Sequence, residues 1–269
     1  MLNNGESQHA ECPSCGETFQ QIGLHWAQSS QCSYPELTER QREYAKGLLM
    51  GDAWIDRGID GRNATLRVSN TNTQFLEWLN DIFGPLSCGV RLKETGEKAA
   101  RNAEHTGFDT SDGDWEFQDV YNLVLRANPK FSEMRSRWYT DDGIQYPRDL
   151  QLTQPAALMW YCSDGWVQWT REKYAYASIG THNEAENADF LVSLFEDHSV
   201  QPTFSGKVLR FGSQTRAFLE WLDGPVPGFE YKWETESYSR YKELESKAHK
   251  PPADGERGQL DVGEGESDA

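Results

Sequence analysis

The chain has 269 residues, of which 37% are hydrophobic, and its formal net charge is −17. No apolar run approaches the roughly 18–20 residues that a membrane-spanning helix needs. The first residues carry neither the basic nor the apolar segment of a secretory signal. These properties argue against a membrane protein and predict a cytoplasmic one, with one large domain or two fused half-domains.

The acidic charge is spread along the whole chain. Asp and Glu number 43, against 16 Arg and 10 Lys. Nucleic-acid-binding proteins usually carry a basic footprint, so the net charge taken alone argues against such a partner. The pattern is also typical of a halophilic protein, and in roughly molar salt the Debye length falls to about 3 Å. Under those conditions we expect local arginine contacts to matter more than net charge. An ordinary acidic protein is the alternative.

A cluster of cysteines near the N-terminus predicts a zinc site. A Cys-x-x-Cys pair is followed by a histidine and a third cysteine, after nine and six intervening residues. Such spacing suits a tetrahedral structural zinc site better than a disulfide framework. Phe19 and Leu24 are the expected core of this zinc-finger-like unit, residues 1–36, and free thiols are the alternative. The predicted ligands are Cys12, Cys15, His25 and Cys32.

Helical and extended patterns alternate after residue 36. Thr38 can cap a first helix that runs to Asp52, and residues 94–118, rich in Gly and acids, predict a long loop or hairpin tip. The other expected elements are helices near 71–83, 156–164, 188–195 and 213–222, a helix that ends near 137–139, and strands near 65–69, 120–126, 174–180, 202–204 and 208–211.

The order helix–strand–strand–helix–strand–strand–helix occurs twice. The repeat has a period of about 110 residues, which indicates an internal pseudo-dimer rather than a solenoid. The predicted halves are residues 37–150 and 151–247. Residues 248–269 are rich in Pro, Gly and acids and predict a disordered tail.

Each half begins with a helix that runs into an aspartate, Asp52 or Asp164. A carboxylate at a helix C-terminus is unfavourable by a few tenths to about 1 kcal/mol. Small residues on both helices allow close packing, and two like charges brought together share a proton or bind a cation. Hard oxygen ligands favour Mg²⁺ or Mn²⁺. The alternative is a pair of ordinary acids on buried helices. The small residues are Gly47, Gly51, Ala156, Ala157 and Ser163.

The two helices resemble the signature motifs of the single-chain LAGLIDADG homing endonucleases. In the second helix, the resemblance lies in Trp160 to Gly165. Two further segments support the resemblance, which covers roughly residues 38–247. One contains Trp138-Tyr139 and Tyr146-Pro147, and the other runs from Pro225 to Lys232.

The resemblance implies an α+β, pseudo-twofold αββαββα fold and site-specific cleavage of double-stranded DNA. It makes Asp52 and Asp164 the ligands of the divalent metal and Lys232 a helper lysine. Gln145 stands where the family usually has a second helper lysine. Glutamine offers only dipoles in place of a permanent charge, so cleavage is expected to be slow, strand-biased or lost.

The resemblance also implies antiparallel strands that lie on the major groove of double-stranded DNA. Arg pairs with guanine and Gln with adenine in that groove, and solvated polar strand faces are the alternative. The implied DNA-binding residues are Arg57, Thr65, Arg67, Ser69, Gln168, Arg171, Lys173, Tyr174, Tyr176, Ser178 and Arg210.

The sequence therefore predicts a free-standing, monomeric DNA endonuclease with an added zinc unit. That unit has no Arg or Lys between Cys15 and Cys32, so stabilisation and DNA reading stay open as its role. One alternative function is a non-cleaving DNA-binding regulator, or a maturase-like RNA-binding protein, on the same scaffold. Another is a metal-binding structural protein with no nucleic-acid partner.

Overall fold

The structure is a computed structural model that describes residues 9–58, 62–105, 117–141, 143–181, 184 and 186–248. The chain forms two compact units. The first draws on residues up to Pro35 and on Arg67–Ala127, and the second on Glu36–Leu66 and Asn128–Ala248. Within the described residues, no helix is long and apolar enough to cross a membrane.

The first unit begins with a small hairpin and a helix. Strands β1 (Ala10–Glu11) and β2 (Thr18–Phe19) pair antiparallel and precede helix α1 (Ile22–Gln28). Ile22 and Trp26, four residues apart on α1, share a face and pack with the buried Cys12 and Cys32. The expectation for Leu24 was wrong: it lies on the other side of α1 and is 50% exposed.

Further along the chain, the first unit contains an antiparallel sheet. Its elements are the end of β4 (Thr65–Asn70), α3 (Thr73–Phe83), β5 (Ser87–Glu94), α4 (Gly96–His105) and β6 (Val120–Leu125). Strand β6 lies between β4 and β5 and pairs antiparallel with both. Helix α3 packs on β5 and β6 through its apolar face, which comprises Phe75, Leu76, Leu79 and Phe83.

Helix α4 corrects the prediction of a loop over residues 94–118. Its ten residues are mostly Ala, Glu, Lys and Arg, which are strong helix formers. Its apolar face consists of alanines alone, so the composition of the surrounding segment, rich in Gly and acids, pointed to a loop. Residues 106–116 of the predicted loop lie outside the described part of the chain.

The second unit holds most of the helices. Its elements are α2 (Glu39–Leu49), β3 (Ala53–Asp56), α5 (Pro129–Trp138), β7 (Tyr139–Thr140), β8 (Gly143–Ile144), α6 (Gln154–Asp164), β9 (Gly165–Thr170), β10 (Tyr174–Gly180), α7 (Ala188–Ser193), β11 (Thr203–Phe204), β12 (Val208–Arg210), α8 (Thr215–Leu222) and α9 (Tyr238–Ala248). Thr38 caps α2 as predicted: its hydroxyl accepts from the Gln41 amide, and the Gln41 side chain accepts from the Thr38 amide.

A four-stranded antiparallel sheet in the second unit has the order β11–β12–β10–β9. Helices α6 and α8 pack on it. The buried residues Val167, Ala177, Ile179 and Leu209 belong to its strands, and aromatic rings fill the space beneath: Tyr161 meets Phe218 edge-on at 5.4 Å between ring centroids. This core fixes the end of α6.

The predicted repeat is confirmed. The first half runs α2, β3, β4, α3, β5, β6, α5, with α4 inserted, and the second runs α6, β9, β10, α7, β11, β12, α8. Helix α9 follows the repeat and was not predicted. The half-domain boundaries at residues 150 and 247 stay predictions, and all but the first residue of the predicted tail lies outside the described residues.

Candidate functional site

Helices α2 and α6 touch along their small residues. A Cβ atom added to Gly47 would lie 2.0 Å from the Ala156 carbonyl oxygen, and one added to Gly51 would lie 2.3 Å from the Ser163 Cβ. Both distances are far below van der Waals contact, so any larger residue would push the helices apart. The predicted close packing of these two helices is therefore present.

This contact brings the two acid-bearing ends together. Helix α6 ends at Asp164, whereas α2 ends at Leu49, so Asp52 follows a short turn instead of ending the helix as predicted. A Cβ atom on Gly51 would lie 3.1 Å from Asp164 Oδ2. The Asp164 carboxylate therefore reaches the residue next to Asp52.

The environment of Asp164 disfavours its charged form. Burial, and then the negative charge of Asp52, raise the pKa of Asp164 to about 7, against an opposing effect of Lys232. Two carboxylates in such a position either hold a proton between them or bind a cation. Carboxylate oxygens are ligands that Mg²⁺ and Mn²⁺ prefer, so the donor chemistry fits the divalent metal implied by the sequence.

Lys232 closes the C-terminal end of α6. It is 5% exposed, and its Nζ donates to the carbonyl oxygens of Cys162 at 2.5 Å and Tyr161 at 3.4 Å. The Tyr161 hydroxyl donates in turn to the Lys232 carbonyl at 2.9 Å. A cation at a helix C-terminus interacts favourably with the helix dipole. Burial lowers the pKa of Lys232 to about 8, and negative charges that include Asp52 and Asp164 oppose the shift.

Tyr146, and not Gln145, reaches the end of α2. Gln145 is exposed, while Tyr146 is 1% exposed and its hydroxyl donates to the Met50 carbonyl oxygen. Met50 stands two residues before Asp52, as Cys162 stands two before Asp164. The Tyr146 hydroxyl therefore makes at the first helix the contact that Lys232 makes at the second. The place of Gln145 at the helper-lysine position stays a prediction.

A buried network holds Tyr146 in place. Its amide donates to Glu184 Oε1 at 2.7 Å, and Arg148 Nη2 lies 3.2 Å from Glu184 Oε2. Its ring packs edge-on against Trp160 with 6.1 Å between centroids. Burial, followed by the charges of Asp164 and Glu184, raises the pKa of Tyr146 well above its ordinary value. The hydroxyl therefore stays a neutral donor, and the site pairs one buried cation with one neutral phenol.

Strands β9 and β10 present an exposed polar and aromatic face. Gln168 lies opposite Tyr176 in the register, and Tyr174 opposite Thr170. Tyr174 and Tyr176 are 48% and 37% exposed. Trp166, 36% exposed, lies on the same face and was missed, although its alternation with Gln168 was visible in the sequence.

The remaining predicted residues of the second half surround this face. Arg171 and Lys173 are exposed at the β9–β10 hairpin, and Arg210 is exposed on β12. Ser178 lies between Trp166 and Arg210 in the register but is only 1% exposed. The structure thus gathers these predicted contacts on one face, with Ser178 covered.

The predicted residues of the first half fall into both units. Leu66 and Val68 of β4 are fully buried, so Thr65, Arg67 and Ser69 point to the other side of the strand. The Ser69 hydroxyl donates to Asn122 Oδ1 and accepts from Lys93 Nζ at 3.2 Å. Lys93 is a cation that the sequence prediction missed. Arg57 is exposed after the end of β3.

The four predicted zinc ligands come together in the first unit. The donor atoms of Cys12, Cys15, His25 and Cys32 all lie within 4.8 Å of one another. The His25 ring stacks on Phe19 with 3.8 Å between centroids. Burial would raise the pKa of Cys12, but hydrogen bonds from the backbone of Cys15 and Ser14 help to bring it down to about 6. Three thiols and an imidazole at these distances fit tetrahedral zinc.

Comparison with known proteins identifies the family. Residues 42–211 match the model of the LAGLIDADG DNA endonuclease family. This chain belongs to that family. A protein of Methanocaldococcus jannaschii described as uncharacterised is 26% identical over 153 residues, which cover 54% of this chain and 51% of the relative. The chain thus spans about half the length of this curated relative.

Solved structures show the LAGLIDADG fold. The homing endonuclease I-WcaI bound to its DNA recognition sequence matches with a TM-score of 0.62 and 14% identity, over 80% of this chain and 92% of that one. The N-terminal LAGLIDADG domain of DUF199/WhiA matches with a TM-score of 0.42 and 11% identity, over 71% and 87% of the two chains. The first match confirms the predicted α+β fold class.

Proposed function

We propose that this LAGLIDADG protein is a site-specific endonuclease that cuts both strands of double-stranded DNA. One observation carries the proposal: the Asp164 carboxylate lies against Gly51, beside Asp52, at the end of two helices in contact. Membership of a DNA endonuclease family supports the choice of substrate. The I-WcaI neighbour is itself bound to its DNA recognition sequence.

Asp52 and Asp164 would hold Mg²⁺ or Mn²⁺. A bound divalent ion would lower the pKa of an attacking water and stabilise the charge on the leaving 3′-oxygen. Lys232 fixes the last turn of α6 and so holds the Asp164 carboxylate in position, while its positive charge favours ionised carboxylates. Tyr146 fixes the end of α2 in the same way, without a charge.

The donors that hold the two helix ends therefore differ in charge. A buried ammonium favours negative charge developing nearby in the transition state, because electrostatic stabilisation is strong where water is excluded. A neutral phenol supplies less of it. We accordingly expect the two DNA strands to be cut at different rates, with a nicked duplex as the intermediate.

The test is cleavage of supercoiled DNA. The substrate would carry the uninterrupted form of the locus that contains this reading frame, incubated with Mg²⁺ from low to molar salt. We expect a nicked product, then a linear one, and neither with Asp52→Asn or Asp164→Asn. Failure of the purified wild-type protein to cut at any salt concentration would contradict the endonuclease proposal.

A second candidate function is a non-cleaving DNA-binding regulator. The exposed Gln145 and the neutral Tyr146 favour it, because a neutral hydroxyl donates at the end of α2 where Lys232 donates at the end of α6. Site-specific binding that needs no divalent metal and is unchanged in Asp52→Asn would support this function. Binding that strengthens with Mg²⁺ and is followed by cutting would exclude it.

The N-terminal unit would bind one zinc ion through its four clustered donors. Because so small a core folds poorly alone, the metal would stabilise this unit. We expect about one zinc per chain by elemental analysis of the purified protein, and much less than one in Cys15→Ser. Wild-type protein refolded with zinc but retaining none would contradict the assignment.

A further inference from the structure

A large cleft in the second unit has no role in the site described above. Its volume is about 1110 Å³, and it lies between the segment that follows β3 and the end of α5. Its lining includes Arg57, Arg62 and Arg135, together with Ser132, Tyr139 and Asp141. The surroundings are therefore mostly polar.

The cleft is cationic in a strongly acidic chain. Arg57 and Arg62 are exposed, and within the described residues neither side chain has an ion-pair partner. Asp141 is the single acid among the described lining residues. Asp56 lies nearby, since its charge raises the pKa of Tyr139, but three lining arginines still outnumber these acids in a chain whose net charge is −17.

The Arg135 side chain lines the cleft and is held in one orientation. One of its N–H groups donates to the Ile55 carbonyl oxygen, and its guanidinium lies 4.3 Å from the centre of the Tyr139 ring. The Tyr139 hydroxyl accepts from the Ile55 amide at 2.8 Å. These contacts orient the guanidinium, and a guanidinium has five N–H donors, so several remain for a ligand.

We propose that this cleft binds a phosphodiester of the DNA backbone, outside the base pairs that are cut. The inference rests on the proposed function. Arginine forks match phosphate oxygens in geometry and charge, and contacts of this kind add affinity without reading sequence.

The position of Arg57 limits where that phosphate lies. Arg57 follows Asp52 by five residues, four of which form strand β3. At roughly 3.3 Å per residue, Arg57 is at most about 17 Å from Asp52 along the chain. The arginine side chain and the distance from Asp52 to the scissile phosphate each add several ångströms, so the bound phosphate lies within roughly one helical turn of DNA, about 34 Å, of the cut.

The test measures how duplex binding depends on salt. The probe is a mixed-sequence duplex of about 30 base pairs, titrated with the full chain at several KCl concentrations. Arg57→Gln with Arg62→Gln removes two cleft charges that support no described contact in the fold. The matched control is Arg216→Gln with Arg240→Gln, which removes two exposed arginines that pair with Glu236 and Glu243.

The loss of this phosphate contact reduces the slope of log K against log salt by about 1 and weakens binding by about one order of magnitude at about 0.1 M salt. We expect this loss in the cleft variant and not in the control. Wild-type binding with an unchanged slope in the cleft variant would overturn the cleft inference and leave the proposed function standing. No duplex binding by the wild type would overturn both.

A second measurement separates DNA from a free anion. Inorganic phosphate is added to wild type and cleft variant, and thermal unfolding is followed. The contrary outcome is that phosphate raises the melting temperature of the wild type alone, while the cleft variant binds the duplex with unaltered affinity. That result would assign the cleft to a small anion and overturn the inference.

Discussion

Tyr146 and Lys232 perform one structural task with different chemistry. Each donates to the carbonyl oxygen two residues before an aspartate, Tyr146 to Met50 and Lys232 to Cys162. The lysine adds a charge that titrates near neutral pH, since its pKa is lowered to about 8. The tyrosine stays neutral over the same range. The two helix ends are thus held by donors of different charge.

Tyr146→Phe tests this role. The change removes only the hydroxyl, and the buried Met50 carbonyl then loses this donor. An unsatisfied buried acceptor costs about 1–3 kcal/mol, so we expect the free energy of unfolding to fall by that amount in urea denaturation. Cleavage of one strand should slow more than that of the other.

Tyr174→Phe is the control for Tyr146→Phe, because Tyr174 is 48% exposed. Its effect on stability should be small. Equal stability of the Tyr146→Phe protein and wild type would show that the hydroxyl does not hold the end of α2.

Asp164 makes the stability of the metal-free protein depend on pH. Its folded pKa of about 7 lies above that of the unfolded chain, about 3.9. The folded state therefore binds more protons between these values, and the contribution of Asp164 to stability falls as pH rises from about 4 to about 7.

Asp164→Asn removes this contribution. In EDTA at pH 8 the variant should melt at least about 3 °C above wild type, and the difference should shrink towards pH 4. The measurement is thermal unfolding over that pH range. A difference that stays constant with pH would contradict the raised pKa.

The contact between helices α2 and α6 depends on glycine at one point. Gly47→Ala would place a Cβ atom 2.0 Å from the backbone oxygen of Ala156. Backbone cannot move aside as a flexible side chain can, and overpacking of this kind costs about 1–3 kcal/mol or more. We expect a loss of stability in that range, and a loss of cleavage because the two acids separate.

Gly23→Ala is the matched control. Gly23 lies within α1, and a Cβ atom there meets nothing within 4 Å. Alanine is preferred over glycine in helices by about 1 kcal/mol, so this variant should be slightly more stable. If Gly47→Ala also proved neutral or stabilising, the helices would not be packed as described.

The element order was predictable because each element has a strong local signal. Strand β10 (Tyr174–Gly180) has the predicted bounds, and Thr38 caps α2 as expected. Helix α4 was missed because its apolar face consists of alanines alone, within a segment whose Gly and acids indicated a loop. Tyr146 was missed because its decisive contact, with Met50, joins residues 96 apart in the sequence. Local patterns carry no information about such a pair.

At the scale of the whole molecule, the net charge of −17 predicts a salt-dependent stability. Repulsion among exposed carboxylates destabilises a compact chain, and added salt screens it. We expect the melting temperature to rise with KCl from about 0.05 M to about 2 M. Thermal unfolding in sucrose at the same concentrations is the control. Sucrose is excluded from the protein surface but does not screen the repulsion between carboxylates, so the comparison separates the two effects. A melting temperature that falls with KCl would contradict a stabilising role for screening.

The junction between α6 and β9 has no loop. Asp164 is the last residue of the helix and Gly165 the first of the strand, while Asp52 is the last residue of the three-residue turn between α2 and β3. A Cβ atom on Gly165 would lie 2.4 Å from the Tyr161 carbonyl oxygen, so this joint also lacks room to adjust. Any bend that a ligand imposes on β9 is therefore transmitted to the Asp164 carboxylate without slack. A displacement of β9 would therefore also displace the Asp164 carboxylate. A poorly matched duplex would then lower the rate of the chemical step as well as the binding affinity.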